Sequence, residues 1–247
     1  MTTILTTESL HKHFGGVLAV NDVNVEFKSK RLRSIIGPNG AGKTTFINVI
    51  TGKLFASSGA VLFENQDITN KPAHRLVKLG ICRTFQITSI FMGLTVFENT
   101  RIAAQTQIGG SFRVFSAKES LKEVNKKTWE ILDRLGLKDK ANVPSTNLAH
   151  GDQRLLEVAM ALAGDPKILF LDEPTAGMSP AETDHIAQLI KGLTATISVV
   201  LVEHDMDVVM SISDEITVLN QGSIIAEGTP MEIKENKLVK EAYLGNA

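Results

Sequence analysis

A glycine-rich segment at residues 37–45 restricts the folds that this chain can adopt. It fits the pattern G-x-x-x-x-G-K-[ST], with a run before it at 32–36 that looks like a buried strand and a helix-like run after it at 45–50. In that context the glycines let backbone N–H groups turn inward around phosphates, and the helix directs the positive end of its dipole at them. We therefore predict an α/β fold with a nucleoside triphosphate site, in preference to a glycine-rich turn that binds nothing. The predicted phosphate-binding residues are Gly37, Pro38, Asn39, Gly40, Ala41, Gly42, Lys43, Thr44 and Thr45.

An acidic pair follows a second apolar run. Residues 168–171 are apolar, as in a strand buried on both faces, and Asp172 and Glu173 come directly after them. Open α/β sheets bind ligands at the carboxyl ends of their strands. We therefore predict that Thr44 and Asp172 hold Mg²⁺, the latter through water, while Lys43 reaches the outer phosphates and Glu173 polarises the attacking water. The simpler alternative is that the two acids only cap a turn before Pro174.

The composition excludes several classes of protein. The 26 basic and 27 acidic residues are nearly balanced among 247, which argues against a broad nucleic-acid surface. The single cysteine, Cys82, rules out an internal disulfide, fits a reducing compartment, and is predicted to be a small core residue. No signal-like stretch opens the chain, and no window has the 18 or so apolar residues of a membrane helix. We expect a chain that is soluble by itself and meets a membrane only through a partner.

The order of elements predicts one domain with a helical insert. Short β-rich runs around a Gly15-Gly16 turn suggest antiparallel strands ahead of the phosphate loop, and after residue 150 helices and strands alternate, which implies a largely parallel sheet. We assign about 1–86 and 164–247 to the α/β core with its antiparallel β part, and about 87–163 to a helical subdomain. A helix over 118–135 is expected to bury its apolar residues and to expose the charges of 122–127. The residues expected in that core are Leu121, Val124, Thr128, Trp129, Ile131, Leu132 and Leu135.

The segment at 148–154, Leu-Ala-His-Gly-Asp-Gln-Arg, resembles the signature of the ATPase subunits of ABC transporters. Residues 31–228 follow the order of that family throughout, and the resemblance implies a helix that presents its N-terminus to a nucleotide held by an opposite subunit. Two positions depart from the common L-S-G-G-Q pattern, because Ala149 lacks a hydroxyl and His150 replaces a glycine. His150 is either an added donor or a bystander at the loop edge. The implied signature residues are Ala149, His150, Gly151, Asp152 and Gln153.

Four segments narrow the resemblance to the ATPase subunits of branched-chain amino acid importers. These are residues 80–86, 150–163, 176–182 and 242–245. Importers of urea and short-chain amides share much of the pattern. The motor of lipopolysaccharide export and soluble ABC ATPases that do not transport are further alternatives.

The resemblance also implies a mechanism and partners. Two subunits, identical or related, would hold two ATP molecules head to tail. Within each site, Gln86 would help to organise Mg²⁺ and water, His204 would contact the terminal phosphate, and Phe14 would stack on adenine. Residues 87–98, which include Phe91 and Met92, would receive a helix of an integral-membrane permease subunit. A substrate-binding protein would act indirectly, no nucleic acid is implied, and the chain would lie at the cytoplasmic face of the inner membrane.

Overall fold

A computed structural model describes residues 2–84, 90–105 and 117–244. The elements for which the sequence analysis gave bounds lie within a few residues of their predicted positions. The strands are β1 Thr3–Phe14, β2 Val17–Lys28, β3 Leu32–Ile36, β4 Ser58–Phe63, β5 Gln66–Asp67, β6 Ile81–Arg83, β7 Ile168–Asp172, β8 Ser198–Val202, β9 Glu215–Asn220 and β10 Ser223–Gly228. The helices are α1 Lys43–Ile50, α2 Ala73–Leu79, α3 Val96–Gln105, α4 Ala117–Arg134, α5 His150–Ala163, α6 Pro180–Leu193, α7 Met206–Ile212, α8 Pro230–Glu235 and α9 Lys237–Leu244, with short 3-10 turns at Lys138–Lys140 and Ser145–Asn147.

The main sheet carries the functional loops at one edge. Its six strands have the order β10-β9-β3-β8-β7-β6, and all neighbours are parallel except the β9/β10 hairpin. All five residues of β3, β7 and β8 are buried, because helices or the second sheet cover both faces. The carboxyl ends of these three central strands therefore lie side by side.

A second sheet of four antiparallel strands, in the order β2-β1-β4-β5, packs with α1 against one face of the main sheet. The β1/β2 hairpin confirms the predicted antiparallel strands and their turn, but each strand is 12 residues long. Helices α3 to α6 cover the opposite face, and α3 packs on both α4 and α5. None of the helices in the described ranges is long and apolar enough to cross a membrane.

The helix predicted over 118–135 exists as α4, but two of its expected core residues are exposed. Val124, Thr128, Ile131, Leu132 and Leu135 are buried as predicted, and so is Cys82. The prediction was wrong for Leu121 and Trp129, which are 40% and 39% exposed. Trp129 lies beside the buried stripe rather than on it, and its indole packs on Phe97 with ring centroids 4.9 Å apart. Leu121 lies on the stripe but near the beginning of the helix, where the described chain covers it only in part.

Candidate nucleotide-binding site

The glycine-rich loop connects β3 to α1, and its shape requires glycine at two close approaches. Gly37 and Gly42 have φ values of 149° and 99°. A Cβ atom at Gly37 would lie 2.0 Å from the carbonyl oxygen of Leu219, and one at Gly42 would lie 2.3 Å from that of Ala19. The loop is therefore clamped between β2 and the β9/β10 hairpin, in a conformation that residues with a Cβ adopt only with strain.

The first turn of α1 is open to an anion. Gly42 precedes the helix without capping it through a side chain, so the first N–H groups of α1 have no side-chain partner there. Thr44 in that turn is exposed, Thr45 is partly exposed, and Asn39 and Gly40 are exposed on the loop. Free N–H groups at a helix start, next to a glycine-lined cradle, fit a phosphate chain.

Lys43 lies folded over this loop. Its Nζ atom donates hydrogen bonds to the carbonyl oxygens of Gly37 at 2.6 Å and Pro38 at 3.0 Å, and the residue is only 6% exposed. Burial lowers the pKa of the Lys43 ammonium, whereas the nearby charges of Glu173 and Asp172 act to raise it. The lysine and the two carboxylates predicted to act with it thus belong to one site.

Asp172 ends β7 with a side chain that is 2% exposed. Its Oδ2 atom accepts a hydrogen bond from Arg83 Nη2 at 2.7 Å. Its Oδ1 atom is also buried and has no hydrogen-bond partner within the described chain. A buried acceptor of this kind is left open for a water molecule or a metal-bound water, so the residues present fit the predicted Mg²⁺.

Glu173 and His204 meet at the mouth of the site. Glu173 has a φ of 48°, its N–H donates to the carbonyl oxygen of Val202 at 2.8 Å, and its Oε1 atom lies 2.7 Å from His204 Nε2. The two side chains are 33% and 49% exposed, respectively, so both remain accessible to a substrate. Residues that were predicted separately, from two different strands, therefore form one hydrogen-bonded pair.

A buried carboxylate that the sequence patterns did not indicate holds this arrangement together. Glu203, 4% exposed, accepts hydrogen bonds from the Thr175 N–H at 3.0 Å, the Thr175 hydroxyl at 2.5 Å and the His204 N–H at 2.9 Å. It thereby joins the end of β8 to the loop that follows Glu173. The sequence signal was a glutamate directly after the apolar run 197–202, but its partner, Thr175, is distant in sequence.

The signature segment begins α5, as predicted, with Ala149 just before the helix. Asp152 pairs with Lys140 at 2.6 Å, and Gln153 Nε2 donates to the carbonyl oxygen of Leu148 at 3.2 Å. A Cβ on Gly151 would lie 3.4 Å from a carboxylate oxygen of Glu182, and one on Gly177 would lie 3.6 Å from the ring of His150. These contacts are with the neighbouring turns and the start of α6, and none is with the phosphate loop of the same chain.

Phe14 ends β1 and is 48% exposed, and Lys12 Nζ lies 4.9 Å from its ring centroid. An exposed aromatic face of this kind is available for stacking on a base. Gln86 lies outside the described residues, as do residues 87–89 of the segment predicted to receive a membrane subunit.

The C-terminal helix flanks the phosphate loop, a contact that sequence patterns did not predict. Glu241 and Ala242 line a cavity of about 270 Å³ together with residues 38–41 of the loop and residues 220–221 of the β9/β10 turn. Burial raises the pKa of the Tyr243 hydroxyl, against the effect of a hydrogen bond from the Gly37 backbone. Helix α9 is thus part of the wall around the loop.

Comparison with known proteins defines the class. Residues 20–176 match the family model of ABC transporters. The chain therefore belongs to the ABC transporter family, as an ATP-hydrolysing cassette, which confirms the predicted resemblance and fold class. Residues 223–247 match a model of branched-chain amino acid ATP-binding cassette transporters.

Individual similar proteins indicate which branch of the family the chain resembles. The chain is 41% identical over 251 residues to the high-affinity branched-chain amino acid transport ATP-binding protein LivG of Escherichia coli strain K12, covering 99% of this chain and 98% of that protein. The ADP conformation of an ATP-binding cassette of an ABC transporter superposes with a TM-score of 0.87 at 35% identity, covering 99% of this chain and 100% of that chain. A dimeric cassette in a post-hydrolysis state, bound to ADP and phosphate, has a TM-score of 0.77 at 27% identity, covering 92% and 99%.

Proposed function

We propose that this chain binds ATP with Mg²⁺ at the loop of residues 37–45 and powers the uptake of branched-chain amino acids through separate membrane subunits. The main support for the hydrolytic part is the Glu173–His204 pair, 2.7 Å apart and accessible, which follows the ends of β7 and β8 next to Asp172 and near Lys43 at the start of α1. The cargo is inferred from the 41% identity to LivG over nearly the whole chain and from the match of the C-terminal residues 223–247.

Each residue has a proposed role. The backbone of the loop and the Lys43 ammonium neutralise the phosphate chain, and Phe14 stacks on the base. Thr44, Gln86 and Asp172 would hold Mg²⁺, which supplies charge neutralisation at the outer phosphates. Glu173 accepts the proton of the attacking water, and His204, anchored by Glu203, holds that carboxylate and contacts the terminal phosphate.

A second ATPase subunit would complete the site. The signature residues 149–153 contact neighbouring turns of their own chain rather than its phosphate loop. We infer that they serve the nucleotide of a partner copy or a related chain, in line with the dimeric cassette that this chain resembles. The start of α5 would then supply N–H groups to the terminal phosphate, although Ala149 offers no hydroxyl.

The helical part, about residues 87–163, is proposed as the subdomain that contacts the membrane subunits. Phe91 and Met92 at its beginning are 52% and 44% exposed. Near them in the chain, a largely apolar groove of about 410 Å³ runs between α2, β6 and α5. An apolar helix of a permease subunit fits such a groove, and it would keep the chain peripheral, at the cytoplasmic face of the membrane. A substrate-binding protein would then act from the other side.

The central test compares wild type with Glu173→Gln. Wild type is expected to hydrolyse ATP, and Glu173→Gln to lose at least about 100-fold in turnover while it still binds ATP. Size-exclusion chromatography in ATP and Mg²⁺ is expected to show a dimer for the variant, because the closed sandwich is not released. A variant that binds ATP yet stays monomeric would require a different ATPase chain as partner, and normal turnover would refute the role of Glu173.

The cargo and the docking surface need the assembled transporter. Uptake of labelled leucine, isoleucine or valine into vesicles with the membrane subunits is expected, and uptake of urea instead would overturn the cargo assignment. Phe91→Glu is expected to abolish uptake while the isolated chain keeps its basal hydrolysis. Phe55→Glu, at a phenylalanine that is 57% exposed outside this region, is the matched control and should leave uptake unchanged.

A further inference from the structure

Arg83 lies against the carboxylate proposed to hold the metal, and it is fixed there from two sides. It ends β6, the strand next to β7, and its Nη2 atom donates to Asp172 Oδ2 at 2.7 Å. Its Nη1 atom donates to Asn48 Oδ1 on α1 at 2.6 Å. The side chains of Arg83 and Asp172 are only 8% and 2% exposed. The guanidinium thus connects the acidic strand with the helix that begins at the phosphate loop.

This pairing leaves the two oxygens of Asp172 in different states. Arg83 occupies Oδ2, whereas Oδ1 is buried without a partner among the residues that the structure describes. A planar guanidinium bonded on one side to Asn48 and on the other to a carboxylate restrains the rotation of that carboxylate. Arg83 therefore determines which oxygen of Asp172 stays available.

We propose that Arg83 is a positioning residue of the nucleotide site, which holds Asp172 so that its Oδ1 atom is available to water bound to Mg²⁺. The inference rests on the proposed metal role of Asp172. Arg83 itself touches neither the nucleotide nor the metal; it acts through the carboxylate. Ligand-holding hydrogen bonds of this kind typically change metal affinity by about 10-fold to 100-fold when they are removed.

Stability alone does not separate this role from a purely structural ion pair. Removal of either partner of a buried pair leaves an uncompensated charge and destabilises the fold in both cases. Metal affinity does separate them, because loss of a purely structural counter-ion gives the metal no reason to bind more weakly next to a bound nucleotide. A purely electrostatic effect would even have the opposite sign, since removal of a positive charge favours the binding of a cation.

The test is a titration of the full chain with Mn²⁺, followed by electron paramagnetic resonance, in the presence of a saturating non-hydrolysable ATP analogue. Arg83→Met, which keeps the length of the side chain and removes its charge, is expected to weaken Mn²⁺ binding by about 10-fold or more. Asn48→Ala removes the second anchor of Arg83 and is expected to give a smaller loss of the same sign. Arg83→Lys should recover part of the affinity, because one ammonium replaces a fork of donors.

Two controls isolate the effect. Affinity for the analogue in EDTA, without metal, should stay within about twofold of wild type for all three variants, since Lys43 and the loop backbone bind the phosphates. Arg33→Met removes another buried arginine, which pairs with Glu215 and Glu227 and does not contact Asp172. Its Mn²⁺ affinity is expected to equal that of wild type.

Mn²⁺ binding by Arg83→Met that is unchanged or tighter overturns the inference. Should Arg83→Met fail to fold, Asn48→Ala decides in its place, because that residue keeps its backbone hydrogen bonds to Lys53 and Leu54. Asp172→Asn separates the metal role of Asp172 from the positioning role of Arg83. If it binds Mn²⁺ as wild type does, the metal role of Asp172 fails; if it binds weakly while the Arg83 and Asn48 variants bind normally, only the role of Arg83 fails.

Discussion

Glu203 offers the sharpest test of how the Glu173–His204 pair is held. It accepts three hydrogen bonds in a position that is 4% exposed, two from Thr175 and one from the His204 N–H. Glu203→Ala removes all three and leaves the donors without an acceptor. We expect loss of stability together with loss of the alignment between His204 and Glu173.

The expected loss of stability follows from the three hydrogen bonds that are removed and from the desolvation cost of a buried charge that is relieved. Hydrogen bonds to a charged group contribute about 1.5–3 kcal/mol each, so three bonds at the lower end contribute about 4.5 kcal/mol. The substitution also removes a buried negative charge, and relief of its desolvation cost offsets about 1–2 kcal/mol of the loss from the three hydrogen bonds. We therefore expect Glu203→Ala to lower the free energy of unfolding by about 3 kcal/mol. Thr175→Val, which removes only the hydroxyl bond, should cost about 1.5 kcal/mol.

Guanidinium chloride unfolding followed by circular dichroism measures these values, and steady-state hydrolysis measures the effect on the site. Glu235→Ala, at an exposed glutamate at the end of α8, is the control and should stay within about 0.5 kcal/mol of wild type. In the folded Glu203→Ala protein, turnover should fall more than ATP affinity. An unfolding free energy and a turnover both equal to those of wild type would show that Glu203 does not hold the Glu173–His204 pair.

Three further predictions concern the loop, the groove and pH. Gly42→Ala places a Cβ 2.3 Å from a backbone carbonyl oxygen of β2, whereas the Cβ of Gly40→Ala meets nothing within 4 Å. Gly42→Ala should therefore lower the free energy of unfolding by well above the ~1–2 kcal/mol of backbone strain expected for Gly40→Ala. Equal melting temperatures of the two variants would contradict this. Burial raises the pKa of Cys82, the sole cysteine, to about 11. Because the thiolate is the reactive form, N-ethylmaleimide at pH 8 should label Cys82 more than about 100-fold more slowly in native than in unfolded protein. Equal labelling rates would contradict this. Burial acts to raise the pKa of Asp214, but hydrogen bonds from a backbone N–H of β3 and from Lys191 outweigh it and lower the pKa below 3.8. The loss of unfolding free energy caused by Asp214→Asn should therefore be full at neutral pH and vanish as the pH falls through this lowered pKa. A loss that is independent of pH would contradict this.

The parts of the fold that follow from local patterns were predictable. The runs 32–36, 168–171 and 197–202 correspond to β3, β7 and β8 within one residue, because strands covered on both faces are rich in apolar residues. The glycine-rich loop was predictable for a related reason, since its backbone conformation excludes other residues at the close approaches of Gly37 and Gly42.

The lengths of the strands were harder to predict from the sequence. Strands β1 and β2 extend over 12 residues each, whereas only short β-rich runs stand out in the sequence. The reason lies in the irregular register of this hairpin, which shifts at several points, with positive φ angles at Ser9 and Asp22. Bulges break the strict alternation of apolar and polar residues on which the prediction of a strand depends.

Two hydrogen-bonded pairs that are distant in sequence were not inferred. Arg83 and Asp172 are 89 positions apart, and Thr175 and Glu203 are 28 apart. Each pair forms only because parallel strands place their carboxyl ends side by side. A buried charged residue at a strand end gives no local signal of which group will neutralise it.

The position of Arg83 in the sheet determines which part of the site a bound partner can influence. Among the strands that the structure describes, β6 is an edge strand of the six-stranded sheet and pairs with β7, and Arg83 at its end also lines the groove proposed to receive a membrane subunit. Glu173, by contrast, is held by the Val202 carbonyl and by His204 at the end of a central strand. A shift of about 1 Å at Arg83 would break its hydrogen bond to Asp172 but would leave the bonds of Glu173 unchanged. A partner in the groove would therefore act on Asp172, the carboxylate proposed to hold the metal, before it acts on Glu173, the proposed general base.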